Sequence, residues 1–245
     1  MSELDWPGRA PGGRHARNPR HARLAGGLRG QIVVIAKEPV PGRVKTRLTP
    51  PYTPQQAARL AAAALADSLA AAGLVPGVRR VLALDGAPGG WLPEGYEVIP
   101  QWGRGLDQRI ATALSTAYAR LPVPVVLIGM DTPQVTPALL EAALRPLVTG
   151  AADAAFGPAE DGGFWLLGLR RPDPRLVLGV PMSQPGTGAV QLDRLTGAGL
   201  RVCQLPALLD VDSAADAAAV AGMVPHSRFA AALRSVPAGP AAVAG

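Results

Sequence analysis

Residues 31–48 read QIVVIAKEPVPGRVKTRL, and the break inside this stretch decides the fold. QIVVIA (31–36) is a continuous apolar run, the pattern of a parallel strand buried on both faces rather than that of a strand with one wet face. The run stops at a loop broken by Pro39, Pro41 and Gly42 and bearing four cations, Lys37, Arg43, Lys45 and Arg47. In α/β proteins phosphates bind where a strand passes through such a loop into a helix.

Neither GxxxxGK[ST] nor GxGxxG is present, so the backbone cradles of P-loop and dinucleotide folds are not expected. Cationic side chains stand in for them. Arg43, Lys45 and Arg47 are spaced two apart, and in an extended loop that spacing turns all three to one side. Like charges so placed repel by on the order of a kcal/mol per pair near a surface, unless an anion such as a triphosphate shares them. A solvated basic turn is the plainer reading; the position at the end of the first strand favours the anion site.

Outward from this stretch, strands alternate with helices, which predicts a three-layer α/β/α architecture with a mostly parallel central sheet. Thr53 before Pro54 is an N-cap followed by proline at the first helical position, opening a helix over 54–72 that ends at Gly73. Strands are predicted at 78–85, 97–101 and 124–131, with helices at 106–121 and from Thr136-Pro137 to about 147. DAAFGPAEDGGFWLLGL (153–169) reads as two strands around a glycine-rich turn, a hairpin-like excursion. A helix within 186–199, a last strand at 201–206 and a closing helix at 213–223 complete the pattern.

A protein of 245 residues has room for one domain with a sizeable core. No apolar run reaches about 18 residues without interruption, so no membrane contact is expected. Cys203 is the only cysteine, which excludes an intrachain disulfide and a cysteine-cluster zinc site. Together with the lack of an apolar segment behind the first charges, this predicts a cytoplasmic protein. Residues 1–30 read as a disordered basic tail: arginines 9, 14, 17, 20, 23 and 29 against Glu3 and Asp5 give +4 of the net +6. No aromatic residue is interleaved among these arginines, so nucleic acid is not an expected partner. Residues 236–245 form an Ala/Pro/Gly tail, read as flexible, which leaves 31–235 as a single domain; a homodimer is compatible with the pattern.

Asp131 lies at the carboxyl end of a central strand, in the crevice where open α/β sheets bind ligands, although an aspartate there also caps short turns. In Leu209-Asp210-Val211-Asp212-Ser213 two carboxylates flank one residue just after the last strand. With Asp131 they form an oxygen donor set for Mg²⁺ or Mn²⁺; Asp212 reads equally as a cap for the helix at 213–223. Asp161 followed by Gly162 and Gly163 lets backbone approach a ligand closely, or simply makes a tight turn. His15 and His21 fall in the tail and His226 near the other end, so no histidine is placed as a general base. A reaction whose nucleophile is already an anion needs only positioning and charge neutralisation. Attack of a phosphate on a nucleotide α-phosphate is such a reaction.

The combination K-x-x-x-x-G-x-x-K-T-R-L (37–48), G-x-D-x-P (129–133), D-G-G (161–163) and D-V-D-S (210–213) resembles the GT-A, or nucleotide-diphospho-sugar transferase, fold. Within it, IAKEPVPGRVKTRL, GPAEDGGFWLLGL and LLDVDSAAD are similar to a bacterial group usually labelled glycosyltransferase, over about residues 31–222. A more distant similarity is to 2-phospholactate guanylyltransferase and molybdenum cofactor guanylyltransferase. The resemblance implies that Lys45 and Arg47 contact the triphosphate and, with Asp131, are catalytic, and that Lys37, Arg43 and Gly129 also bind the nucleotide. It implies Asp131, Asp210 and Asp212 as metal carboxylates, and Asp161, Gly162, Gly163 and Ser183 on the acceptor side. This sequence differs from the group at Gly105-Leu106-Asp107, where D-L-G is usual, and at Met182, where a tryptophan precedes the serine.

The activity implied is metal-dependent transfer of NMP from an NTP to a small phosphorylated or phosphonate acceptor, releasing pyrophosphate. The alternative is glycosyl transfer from a nucleotide sugar, whose GT-A enzymes hold the metal with a D-x-D motif near the middle of the sequence. Asp131-Thr132-Pro133 lacks the second acid, which favours nucleotidyl transfer. A third class is a nucleotide-binding protein without catalysis, or an interaction module using the arginine tail.

Overall fold

The structure, a computed structural model, describes residues 30–236; of the expected tails at 1–30 and 236–245, all but Gly30, which opens a strand, and the buried Val236 lie outside the described residues. A seven-stranded sheet has the order β3-β2-β1-β4-β6-β5-β7. Its strands are β1 (Gly30–Lys37), β2 (Val78–Asp85), β3 (Tyr96–Pro100), β4 (Val125–Ile128), β5 (Ala154–Pro158), β6 (Phe164–Leu169) and β7 (Val202–Gln204). β1 pairs in parallel with both β2 and β4, β2 with β3, and β5 with β7. β6 alone runs antiparallel, between β4 and β5. The expected hairpin at 153–169 therefore forms, but it is no excursion: its second strand is a central rung of the sheet, buried along almost its whole length.

Helices cover both faces: α1 (Pro54–Leu74), α2 (Leu106–Arg120), α3 (Pro137–Thr149), α4 (Thr187–Gly197), α5 (Ala214–Met223) and α6 (Arg228–Ser235). The alternation of side chains along β1 divides the core in two. Ile32 and Val34 pack with Leu65 and Leu69 of α1 and Leu140 and Leu144 of α3. Val33 and Ile35 pack with Ile110 and Leu114 of α2 and Leu195 of α4. Each such side chain contributes about 1.5–3 kcal/mol on burial.

α1 starts where Thr53 predicts, with a complete capping box to Gln56, and runs through Gly73 to the exposed Leu74, two residues past the predicted end. Among the described residues it is the one helix long and apolar enough to pass for a membrane span by length and composition, yet its apolar side lies against the sheet and a third cluster covers its outer side. That cluster joins Leu48, Leu60, Val211, Val220 and Phe229. It includes α6, which the sequence pattern does not separate from the tail. Ser227 caps α6, and Asp67 of α1 accepts hydrogen bonds from the Arg228 and Phe229 amides at 3.1 and 2.9 Å.

Candidate active site

Four segments meet at the carboxyl ends of the parallel strands. The first is the loop after β1, which is not extended as its spacing suggests. Lys45 adopts a left-handed backbone conformation, φ 49°, and Thr46–Leu48 form a 3-10 turn, with Leu48 buried. The three cations therefore do not share one extended face. Lys45 turns inward, its side chain only 7% exposed, with Nζ 2.7 Å from Asp131 Oδ1 and 3.5 Å from Asp212 Oδ1. Nζ also donates to the Val211 carbonyl. Arg47, 74% exposed, donates from Nη1 to Asp212 Oδ2 at 2.9 Å. Arg43 and Lys37 are exposed and have no carboxylate partner among the described residues.

The second segment carries Asp131. β4 stops at Ile128, short of the predicted end, and Gly129-Met130-Asp131 form the turn beyond it. The Gly129 amide donates to the Trp165 carbonyl at 3.3 Å, the last tie to β6. The third segment is Asp210-Val211-Asp212. Val211 is fully buried in the third cluster, and its amide donates to the Asp131 carbonyl at 3.0 Å. Gln134 Nε2 donates to the Leu209 carbonyl at 2.6 Å. These two bonds staple Asp131 to the aspartate pair. Ser213 caps α5 in a capping box with Asp216, so capping falls to Ser213 and the Asp212 carboxylate is left to the two cations.

Asp210 is the unusual acid. Burial, then the neighbouring Asp131 and Asp161 carboxylates, push it up to about 7, against the pull of Lys45. Its Oδ1 is buried without a hydrogen-bond partner, as are Thr132 Oγ1 and Gln134 Oε1 in the segments just described. Four aspartates thus share one electrostatic neighbourhood. Among the described residues, however, no group of three histidine, cysteine, aspartate or glutamate side chains is set to hold a metal ion. Asp131 and Asp212 share the Lys45 ammonium instead.

The fourth segment is the β5–β6 turn. Asp161 Oδ1 accepts from the Gly163 amide at 2.8 Å, and Gly162 takes φ 88°, so the tight turn forms. It also seats the start of α4: the Gly188 amide donates to the Gly162 carbonyl at 2.8 Å, and a Cβ on Gly188 would lie 2.3 Å from the Gly163 carbonyl oxygen. Ser183, exposed and left-handed at φ 59°, lies on the loop entering α4. The structure thus brings Lys45, Arg47, Asp131, Asp210 and Asp212 together. It sets Asp161, Gly162 and Gly163 beside them and leads Ser183 in through Pro185 and Gly186, but does not bring the exposed Lys37 and Arg43 side chains into the cluster.

Sequence reasoning missed three supporting side chains. Gln134 follows D-T-P without a periodic signal. Asp107 accepts from the Gly179 amide at 3.0 Å, tying the start of α2 to the loop that leads toward Ser183. Gln101 bridges the ends of β1 and β2, donating to the Ala36 and Ala83 carbonyls at 2.7 and 2.9 Å. All three act on backbone groups distant in sequence, which no local pattern announces.

The strand order and the carboxyl-end site place the molecule in the class of nucleotide-diphospho-sugar transferase-like α/β folds. A candidate nucleotide-diphospho-sugar transferase from Desulfovibrio desulfuricans G20 superposes with a TM-score of 0.77 and 28% identity, over 84% of this protein and 94% of that one. A CMP:2-keto-3-deoxy-manno-octonic acid synthetase solved with CTP shares the fold at TM-score 0.51 and 15% identity, over 80% of this protein and 98% of that one. So does a 4-diphosphocytidyl-2C-methyl-D-erythritol synthase from Anaerococcus prevotii DSM 20548, at TM-score 0.50 and 8% identity, over 81% and 99%. No curated protein matches the sequence. Residues 53–184, more than half of the chain, match the family described as "Uncharacterized protein conserved in bacteria (DUF2064)", and the chain belongs to that family.

Proposed function

We propose that the protein is a transferase acting on nucleotides, and specifically a nucleotidyltransferase that moves NMP from an NTP to a small phosphorylated or phosphonate acceptor. The observation that carries this reading is the meeting of Lys45 and Arg47 with Asp131 and Asp212, with two further exposed cations, Lys37 and Arg43, on the same stretch of chain after β1. Cations facing acids at a strand end form a seat for a phosphate chain and its counter-ion. An acceptor phosphate oxygen attacks the α-phosphorus, a new P–O bond forms, the α–β bridging P–O bond breaks, and pyrophosphate leaves. The nucleophile is already an anion, in keeping with the lack of a histidine among the described residues of the site.

The chemistry of the donor set suits a divalent cation, although the Lys45 ammonium stands between Asp131 and Asp212 as they are placed. All the acids offer hard oxygens, suited to Mg²⁺ or Mn²⁺, and the partnerless Asp210 Oδ1 is a buried acceptor awaiting a cation or proton. Asp131, Asp210 and Asp212 would hold it, and it would neutralise charge on the phosphates. Arg47 and Lys45 orient the triphosphate, Lys37 and Arg43 draw it in, and Gly129 leaves room above the strand end. Asp161, Gly162, Gly163 and Ser183 face the acceptor.

A second reading, glycosyl transfer from a nucleotide sugar, is favoured by the description of the Desulfovibrio protein. The missing second acid after Asp131 speaks against it. Incubation with each of the four NTPs, Mg²⁺ or Mn²⁺ and a panel of phosphorylated acceptors is expected to release pyrophosphate. Consumption of a UDP- or GDP-sugar with no pyrophosphate from any NTP would establish the second reading.

A further inference from the structure

Lys45 occupies the middle of the acids rather than their edge. Its ammonium lies 2.7 Å from Asp131 Oδ1 and 3.5 Å from Asp212 Oδ1, donates to the Val211 carbonyl, and is screened from solvent. Arg47 engages the other Asp212 oxygen at 2.9 Å. Both oxygens of Asp212 and one of Asp131 are thereby held by side-chain cations. Oxygen ligands approach a divalent ion to about 2.0–2.6 Å, so an ion using these oxygens must displace the ammonium.

We propose that Lys45 is a built-in competitor for the divalent cation, so that the acids accept the ion only in company with a polyphosphate that draws the lysine away. This rests on the metal reading given above. Lysine in the left-handed region is held against its own preference. Here the two carboxylates and the Val211 carbonyl hold it. On either side Val44 and Leu48 are buried in separate apolar clusters, so a rearrangement is confined to the residues between them. A polyphosphate offers the ammonium and Arg47 new anionic oxygens, while the exposed Lys37 and Arg43 attract it to the same loop. Asp131 and Asp212 then become free for the ion that arrives with the phosphates, next to the partnerless Asp210 Oδ1.

Mn²⁺ binding to the full-length protein, read from the loss of the free-ion EPR signal, tests this. Wild type is expected to bind Mn²⁺ alone weakly, and Lys45→Met tenfold or more tightly. Adding Asp131→Asn to Lys45→Met is expected to undo the gain. In equilibrium dialysis of the wild type, inorganic tripolyphosphate is expected to draw Mn²⁺ to the protein side. Equal Mn²⁺ affinity in wild type and Lys45→Met, lost in both on Asp131→Asn, overturns the competition and leaves the metal reading standing. Binding by no form, with or without tripolyphosphate, overturns both. If Lys45→Met does not fold, Lys45→Gln and the dialysis decide: wild-type uptake that tripolyphosphate does not raise overturns the proposal.

Discussion

Leu48 and Val211, far apart in the sequence, are both fully buried in one apolar cluster between α1, α5 and α6. Leu48 closes the turn that presents Lys45 and Arg47, and Val211 separates Asp210 from Asp212. The hydrophobic contact beneath the site therefore sets the distance between its cations and its acids. Leu48→Ala is expected to cost about 2–5 kcal/mol by urea denaturation. It is also expected to lower kcat/KM in conditions where the variant is still fully folded. A variant that loses stability but keeps full kcat/KM would show that the cluster does not govern the site.

Arg47 is the opposite case. Its pair with Asp212 is on the surface, and exposed ion pairs contribute roughly 0–1 kcal/mol. Arg47→Ala is therefore expected to leave the melting temperature nearly unchanged while raising KM for the NTP tenfold or more. An unchanged KM in steady-state assays would remove Arg47 from the phosphate seat.

Asp131→Asn and Asp212→Asn are each expected to abolish metal-dependent turnover with the far-UV circular dichroism preserved. Asp131→Asn also takes an anion from the screened Lys45 ammonium. Because Asp131 itself is partly exposed, the stability lost is expected to be on the order of 1–2 kcal/mol, below the cost of breaking a fully buried pair. Turnover at the wild-type rate in either variant would exclude that residue from the site.

Much of this is legible in the sequence because it depends on local rules. QIVVIA has the pattern of a doubly buried strand, and Thr53-Pro54 and Thr136-Pro137 both open helices through their cap hydroxyls. The four site segments are likewise marked by residue type. What spacing does not supply is direction. Reading Arg43, Lys45 and Arg47 as one extended face fails because Lys45 is left-handed and a 3-10 turn follows, so Lys45 and Arg47 meet on Asp212 while Arg43 is left exposed. The antiparallel β6 looks peripheral in the sequence for a similar reason, since its place between β4 and β5 is fixed by pairing with residues distant from it. Gln134 and Asp107 are tertiary staples whose partners are backbone groups, and composition carries no trace of them.

The β5–β6 turn and the start of α4 meet backbone to backbone, with no room for a side chain at Gly188. Gly188→Ala is expected to push the two apart and to destabilise the protein by about 1–3 kcal/mol. Gly162→Ala forces alanine to φ 88°, at a cost of about 1–2 kcal/mol. Both variants are expected to raise KM for the acceptor more than KM for the NTP, since the proposed acceptor side includes this turn. Equal changes in the two KM values would place the acceptor elsewhere.

Asp210 gives the site a signature in pH. Its carboxyl is raised from 3.8 to about 7 in the folded protein, chiefly by burial and then by Asp131 and Asp161. Below about pH 4 both folded and unfolded states hold the proton, and this group adds no pH dependence. Between about pH 4 and 7 the unfolded state has lost the proton while the folded one keeps it. Stability from this group therefore falls as pH rises, and the loss is complete above about pH 7. Asp210→Asn removes the titration. Its stability relative to wild type is expected to rise between about pH 4.5 and pH 8, by on the order of 2–4 kcal/mol in urea midpoints converted at a common m-value. The comparison between two pH values cancels whatever the amide itself gains or loses in packing. A difference between variant and wild type that stays flat across this range would mean that Asp210 ionises as an ordinary aspartate, and that the acids around Lys45 do not act on it.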